Sequence, residues 1–190
     1  MKKINDNKLK QLKGDASFRK FFRKKNKNFT SIIIKAEKEK KKNLLIYDAI
    51  NKILNKNKVL APKLYNEDYK NNLIEVEDLG KETFFEILKK KNFDKINYFK
   101  RIIKILNKIQ SIKDREIKDF KNNKYKISEY KNEILIKKNN LFFYFYLKKN
   151  KKIFKKKFNK IIKKLILNLK LKNEVFVHRD FHVSNLMFQK

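Results

Sequence analysis

Close to its C-terminal end the chain carries the string VFVHRDFHVSN, which sets His178, Asp180 and Asn185 in the spacing H-x-D-x4-N. These residue types suit phosphoryl transfer, a reaction that asks a protein mainly for positioning and charge neutralisation. A carboxylate must accept the proton of the acceptor hydroxyl, and Asp180 supplies one where a short apolar run ends. A hard oxygen ligand for Mg2+ must follow on a loop that folds back, and the side-chain amide of Asn185 suits that task. His178 reads as structural support that packs and hydrogen-bonds beside Asp180. A zinc site built from His178, His182 and Asp180 is disfavoured, because the chain has only 2 His and no Cys.

The elements around this loop follow from hydrophobic spacing. FRKFFRK, with Phe18 and Phe22, reads as a strand, and the β-branched FTSIIIKA (Phe29–Ala36) as a second. The short polar KKNKN between them suits a hairpin. From Glu37 to Asn55 the period becomes helical, with Leu45, Ala49 and Ile53 on one face, and Pro62 closes that region. LIEVED (Leu73–Asp78) alternates as a strand and runs into Leu79-Gly80. The first 80 residues therefore form a small α+β lobe. Beyond Gly80 the pattern is mostly helical. Tyr98, Ile102, Ile105, Leu106 and Ile109 mark one helix, and Phe158 to Leu169 another. LFFYFYL (Leu141–Leu147) reads as core, and EVFVHRD (Glu174–Asp180) as a short strand that delivers Asp180.

Composition narrows the class. Hydrophobic residues at 41% and aromatic residues at 13% are enough for a packed core and do not fit a disordered chain. The absence of Cys excludes disulfides, thiolate metal sites and Cys nucleophiles. No apolar run reaches the ~20 residues of a membrane span, and the N-terminus lacks the apolar stretch of a signal peptide. A cytoplasmic protein without a membrane partner is expected. The net charge of +33 would by itself suggest a nucleic-acid surface. Only five of the 53 basic residues are Arg, however, and Arg is the type suited to bidentate phosphate and base contacts. Lys spread over solvated faces is the simpler reading, so a nucleic-acid partner is not expected.

VFVHRDFHVSNLM resembles the catalytic loop of the aminoglycoside phosphotransferase (choline kinase-like) superfamily. Within it the likeness is to bacterial kinases of N-acetylmuramate and N-acetylglucosamine. GDASFRKFFR (Gly14–Arg23), SIIIKAE (Ser31–Glu37) and EVEDLG (Glu75–Gly80), with Thr83-Phe84 after it, agree in order and spacing. The resemblance implies one α+β, protein-kinase-like domain over residues 1–190, with a β-rich N-lobe (1–80) and part of a helical C-lobe (81–190). It implies an ATP- and Mg2+-dependent transfer to a hydroxyl of a small molecule, an amino sugar by its closest likeness.

The same resemblance implies a role for each matching residue. Asp180 matches the catalytic base and Asn185 the Mg2+ ligand. Gly14, Asp15, Ala16 and Ser17 match the loop over the nucleotide phosphates. Glu77, or the backbone around it, falls at the adenine edge. Lys35 falls on the strand that carries the phosphate-pairing Lys in many kinases, with Glu39 or Asp48 as its acidic partner. The family's second metal-binding Asp and the helices that finish the larger lobe would follow Lys190, so the chain is expected to be C-terminally incomplete. A catalytically silent module that binds nucleotide or a protein is the alternative expectation, and a Lys-rich nucleic-acid binder a third.

Overall fold

A computed structural model of the chain describes residues 9–12, 19–40, 42–90, 94–138, 152–169 and 174–188. Gly14 to Ser17, Phe18 and the LFFYFYL run lie outside the described residues.

The architecture is α+β. Strands β1 (Leu9–Leu12), β2 (Lys20–Lys25), β3 (Thr30–Lys35), β4 (Leu64–Asp68) and β5 (Leu73–Glu77) form one sheet in the order β1-β2-β3-β5-β4. Every neighbouring pair is antiparallel. β3 lies at the centre because its β-branched Ile32, Ile33 and Ile34 tolerate burial on both sides of a pleated sheet. In register, Ile34 faces Phe21 on β2 and Ile74 on β5, and Ile32 faces Arg23 and Val76. The two-residue alternation of a strand puts all of these on one face. Helix α1 (Lys42–Lys56) covers that face through Leu44, which joins Ile34, Ala36, Ile74 and Val76 in a buried cluster. The opposite face carries a polar network. Ser31 Oγ donates to Glu75 Oε1 at 2.5 Å, and Lys24 Nζ reaches both Glu75 oxygens at 3.1 Å. Ser31 and Glu75 are both buried, so each needs the other to offset lost hydration.

α1 begins five residues later than its apolar spacing predicts. The intervening segment is used as a turn: Glu39 N–H bonds Ala36 O, and the Asn72 side-chain amide donates to the carbonyls of Ala36 and Glu39. β4 is a strand that spacing does not reveal. LYNED has little apolar alternation, and its register shifts between Leu64 and Asn66 where it joins β5. α2 (Phe84–Leu88) is also short and hidden, yet Thr83 and Glu86 form a full capping box, a signature that the sequence displays. Helix α3 (Lys95–Gln110) starts at Asp94, whose carboxylate accepts the Asn97 N–H at 3.0 Å. A small hairpin of β6 (Glu116–Lys118) and β7 (Lys124–Lys126) turns around the buried Asp119, which accepts from Lys121 N and Asn123 N.

The chain divides into two compact units. One comprises residues 1–126 with 176–190, so the H-x-D-x4-N loop belongs to the same unit as the sheet. The other, 127–175, contains a helical run at 132–138, here α4, and helix α5 (Lys152–Asn168). EVFVHRD is not a strand, contrary to expectation. Phe176 is buried while Val175 and Val177 are exposed, so the alternation is genuine, but no edge among the described residues pairs with it. Periodicity sets which side chains point inward, whereas a strand also needs a ladder partner. No helix among the described residues is long and apolar enough to cross a membrane.

The buried cluster sets the stability of the sheet. Replacing the fully buried Ile74 with Ala is expected to cost about 2–5 kcal/mol through lost transfer energy and the cavity left behind. Urea titration measures it. A loss under about 1 kcal/mol would mean that α1 and the sheet do not enclose a tightly packed core.

Candidate active site

Asp180 sits just after a backbone position that few residues adopt, Arg179 at φ +70°. That left-handed conformation costs a side-chain-bearing residue energy and persists where the surroundings impose it. Here the surroundings are a set of hydrogen bonds to Asp180. Asn185 Nδ2 donates to the Asp180 carbonyl at 3.1 Å and to its carboxylate Oδ2 at 2.8 Å. His182 Nε2 lies 3.2 Å from the other carboxylate oxygen, Oδ1. A 3-10 turn, Val183–Asn185, folds the loop back so that Asn185 can reach, and Asn185 N–H closes it on His182 O at 2.9 Å. The five-residue separation of Asp180 and Asn185 is thus bridged within the loop itself.

His178, itself exposed, also touches this loop. Its ring meets Phe181 edge-on at 5.8 Å and hydrogen-bonds with the Asp180 backbone. Although part of the ring's surface is open to solvent, the protein crowding it lowers its pKa below the ordinary histidine value. The attraction of Asp180 opposes this without cancelling it.

The residues that follow the loop are stitched to the segment that follows β5. Phe84 N–H donates to Leu186 O and Phe188 N–H to Glu82 O, each at 2.8 Å, with Thr83 and Met187 bridged as in an antiparallel pair. Phe84, Tyr98 and Phe188 then meet as three rings, with centroids 5.6 to 6.0 Å apart. Gly80, at φ +112°, lies where the Phe188 carbonyl approaches, 3.7 Å from the place a Cβ would occupy.

This linker is anchored to the sheet by an ion pair. Arg23 on β2 lies on the same face of the sheet as Ile32 on β3 and Val76 on β5, and Asp78 follows Val76 by two residues. Arg23 Nε and Nη2 meet Asp78 Oδ2 and Oδ1 at 2.6 and 3.0 Å, and Nη2 also donates to Gly80 O at 2.5 Å. Gly80 N–H returns to Asp78 Oδ1 at 3.0 Å. Burial alone would raise the Asp78 carboxyl, but hydrogen bonds from Arg23, Thr30 and the Gly80 amide together hold it below its usual value. GDASFRKFFR and EVEDLG each stand out as a motif in the sequence, yet neither shows that Arg23 and Asp78 join them across 55 positions. Charge complementarity between two motifs is the only signal that could have found the pair.

Lys35, Glu39, Asp48 and Glu77 take up different partners. Lys35 Nζ pairs with Glu37 at 2.6 Å in a half-exposed contact, and neither Glu39 nor Asp48 is its partner. Glu39 is held by Arg19 through two hydrogen bonds of 2.8 and 3.0 Å, which depress its pKa against the opposing effect of burial. Asp48 lies buried on α1, 2.9 Å from Lys52 one turn on. Burial pushes its carboxyl up despite that lysine. The Glu77 amide donates to Lys63 O at 2.8 Å, and its carboxylate accepts from Lys63 N at 3.3 Å. That residue is therefore committed to the strand edge through both amide and side chain.

Among the described residues no cluster of three or more His, Asp or Glu could hold a metal by itself. The donors present at the loop, an Asn amide oxygen and a carboxylate, nevertheless fit Mg2+, which takes few protein ligands and completes its shell with water and phosphate oxygens.

The family model described as "Phosphotransferase enzyme family" matches residues 8–190. No curated protein matches the chain.

The Arg23–Asp78 pair gives the site a pH dependence with a fixed sign. Because the folded-state pKa of Asp78 is depressed, its contribution is complete above the unfolded value of about 4 and lost as the pH falls through the folded one. Asp78→Asn is expected to cost about 3 kcal/mol at pH 7, since it leaves a largely buried guanidinium without its anion. The difference from the parent should narrow at pH 3. Urea midpoints at both pH values test this, and a gap independent of pH contradicts it.

Proposed function

The chain belongs to this phosphotransferase family, and from that premise we propose that it moves the terminal phosphoryl group of ATP to a hydroxyl of an amino sugar. The observation that carries the reading is the Asp180 carboxylate: it is 71% exposed, yet hydrogen-bonded to Asn185 within a strained turn. A carboxylate that is both accessible and oriented is what a general base for an incoming hydroxyl requires. As the acceptor oxygen closes on the γ-phosphorus, Asp180 takes the hydroxyl proton, and the bond from that phosphorus to the β-bridging oxygen breaks to release ADP. Asn185, through its amide oxygen, would hold Mg2+, which supplies neutralisation of the phosphate charge. His178, through its contacts with the Phe181 ring and the Asp180 backbone, is proposed to steady the loop.

Other residues contribute position. Gly14 to Ser17 are the segment proposed to cover the phosphates, where backbone N–H groups suit anionic oxygens. Lys35 pairs with Glu37 and is proposed to turn toward nucleotide phosphate. The adenine edge is assigned to the backbone around Glu77. The amino-sugar acceptor rests on the likeness of GDASFR, EVEDLG and HRDFHVSN to kinases of N-acetylmuramate and N-acetylglucosamine.

Transfer from radiolabelled ATP to a panel of amino sugars, using the protein as its own cell produces it, tests the proposal. Asp180→Asn is expected to lower turnover roughly 100- to 10,000-fold while nucleotide binding persists. Turnover equal to the parent would remove Asp180 as the base. Transfer to neutral sugars or aminoglycosides in preference to amino sugars would replace the acceptor class.

A further inference from the structure

We propose that His182 is a positioning residue for Asp180, holding the carboxylate oxygen that Asn185 does not. This rests on the reading of Asp180 as the base. An aspartate on an open surface can turn about its side-chain bonds, and at 71% exposure little packing restrains this one. Asn185 restrains it from one side, bonding both Oδ2 and the main-chain oxygen. A single hydrogen bond to one carboxylate oxygen still leaves the other free to swing. His182 lies on that other oxygen, with Nε2 3.2 Å from Oδ1. Held from both sides, the carboxylate presents its remaining lone pairs in one direction.

The contact also dictates the proton on the ring. An ionised carboxylate only accepts, so Nε2 must carry the hydrogen and donate to Oδ1. The backbone gives the geometry its cause. His182 is extended, at φ −145° and ψ 162°, and immediately precedes the 3-10 turn whose last residue is Asn185. Asn185 N–H is bonded to His182 O at 2.9 Å. One short turn thus orders both residues that flank Asp180. An ion pair or hydrogen bond this exposed adds little to folding stability. Its effect is therefore expected in the rate of the chemical step and not in resistance to unfolding.

Three variants and one spectrum test the role. His182→Phe keeps a ring and removes the donor; kcat should fall about tenfold, with KM for ATP and for the acceptor, and the melting temperature, essentially unchanged. His182→Gln places an amide N–H near the Nε2 position and should recover most of that loss. A wild-type kcat in His182→Phe, or an equal unrescued loss in both variants, overturns the proposal. Long-range proton–nitrogen NMR should find His182 as the Nε2–H tautomer. An Nδ1–H tautomer overturns the contact whatever the turnover. Asp180→Asn separates the two readings. If it is inactive while His182→Phe is unaffected, only the His182 role falls. If it retains turnover, the base assignment falls and takes the positioning role with it.

Discussion

The guanidinium of Arg23 closes on the Asp78 carboxylate and the Gly80 carbonyl at the point where the sheet gives way to the linker. Most of what positions the site passes through that contact. Both side chains are largely withdrawn from water, 15% and 4% exposed, so neither charge tolerates the loss of the other. The pair is dictated by strand geometry. Alternation along β2 and β5 brings Arg23 and Asp78 to the same face, beside the apolar cluster that α1 covers. The hydrophobic core thus sets the register, and the register aligns the charges.

From Gly80 the constraint runs by backbone. Glu82 and Phe84 exchange hydrogen bonds with Phe188 and Leu186, and Phe84, Tyr98 and Phe188 pack their rings over that seam. The H-x-D-x4-N loop is therefore clamped on its downstream side by the linker and on its upstream side by the buried Phe176. Between those fixed ends the chain must turn sharply. Arg179 takes the positive φ that the turn demands, and Asn185, His182 and His178 converge on Asp180. Rigidity supplied from outside the loop allows an exposed carboxylate to be well placed.

The legible parts of this arrangement are the local ones. The isoleucines of β3, the alternation of LIEVED and the period of α3 announce themselves because each is set by neighbours in sequence. The loop is legible for the same reason: Asp180 and Asn185 are five positions apart and meet within one turn. What depends on distant partners is hidden. EVFV alternates like a strand but has no edge to join among the described residues, LYNED becomes a strand because β5 offers one, and the Arg23–Asp78 pair spans 55 positions. The family resemblance implies Glu39 or Asp48 as the partner of Lys35, whereas Glu37 in the adjoining turn is nearer, Arg19 occupies Glu39 and Asp48 is buried beside Lys52. With so many lysines in the chain, spacing alone does not distinguish one from another.

Native-state hydrogen exchange at the Phe84 and Phe188 amides, compared in the parent and Arg23→Gln, probes this chain of constraint most directly. These amides form the seam between linker and loop. If the ion pair holds the linker in place, both should exchange about tenfold faster or more in the variant, while the buried Ile109 of α3 keeps its protection, as expected for local rather than global opening. Unchanged exchange at Phe84 and Phe188 would mean that the loop is fixed independently of the sheet, and would contradict the role of the Arg23–Asp78 pair in placing Asp180.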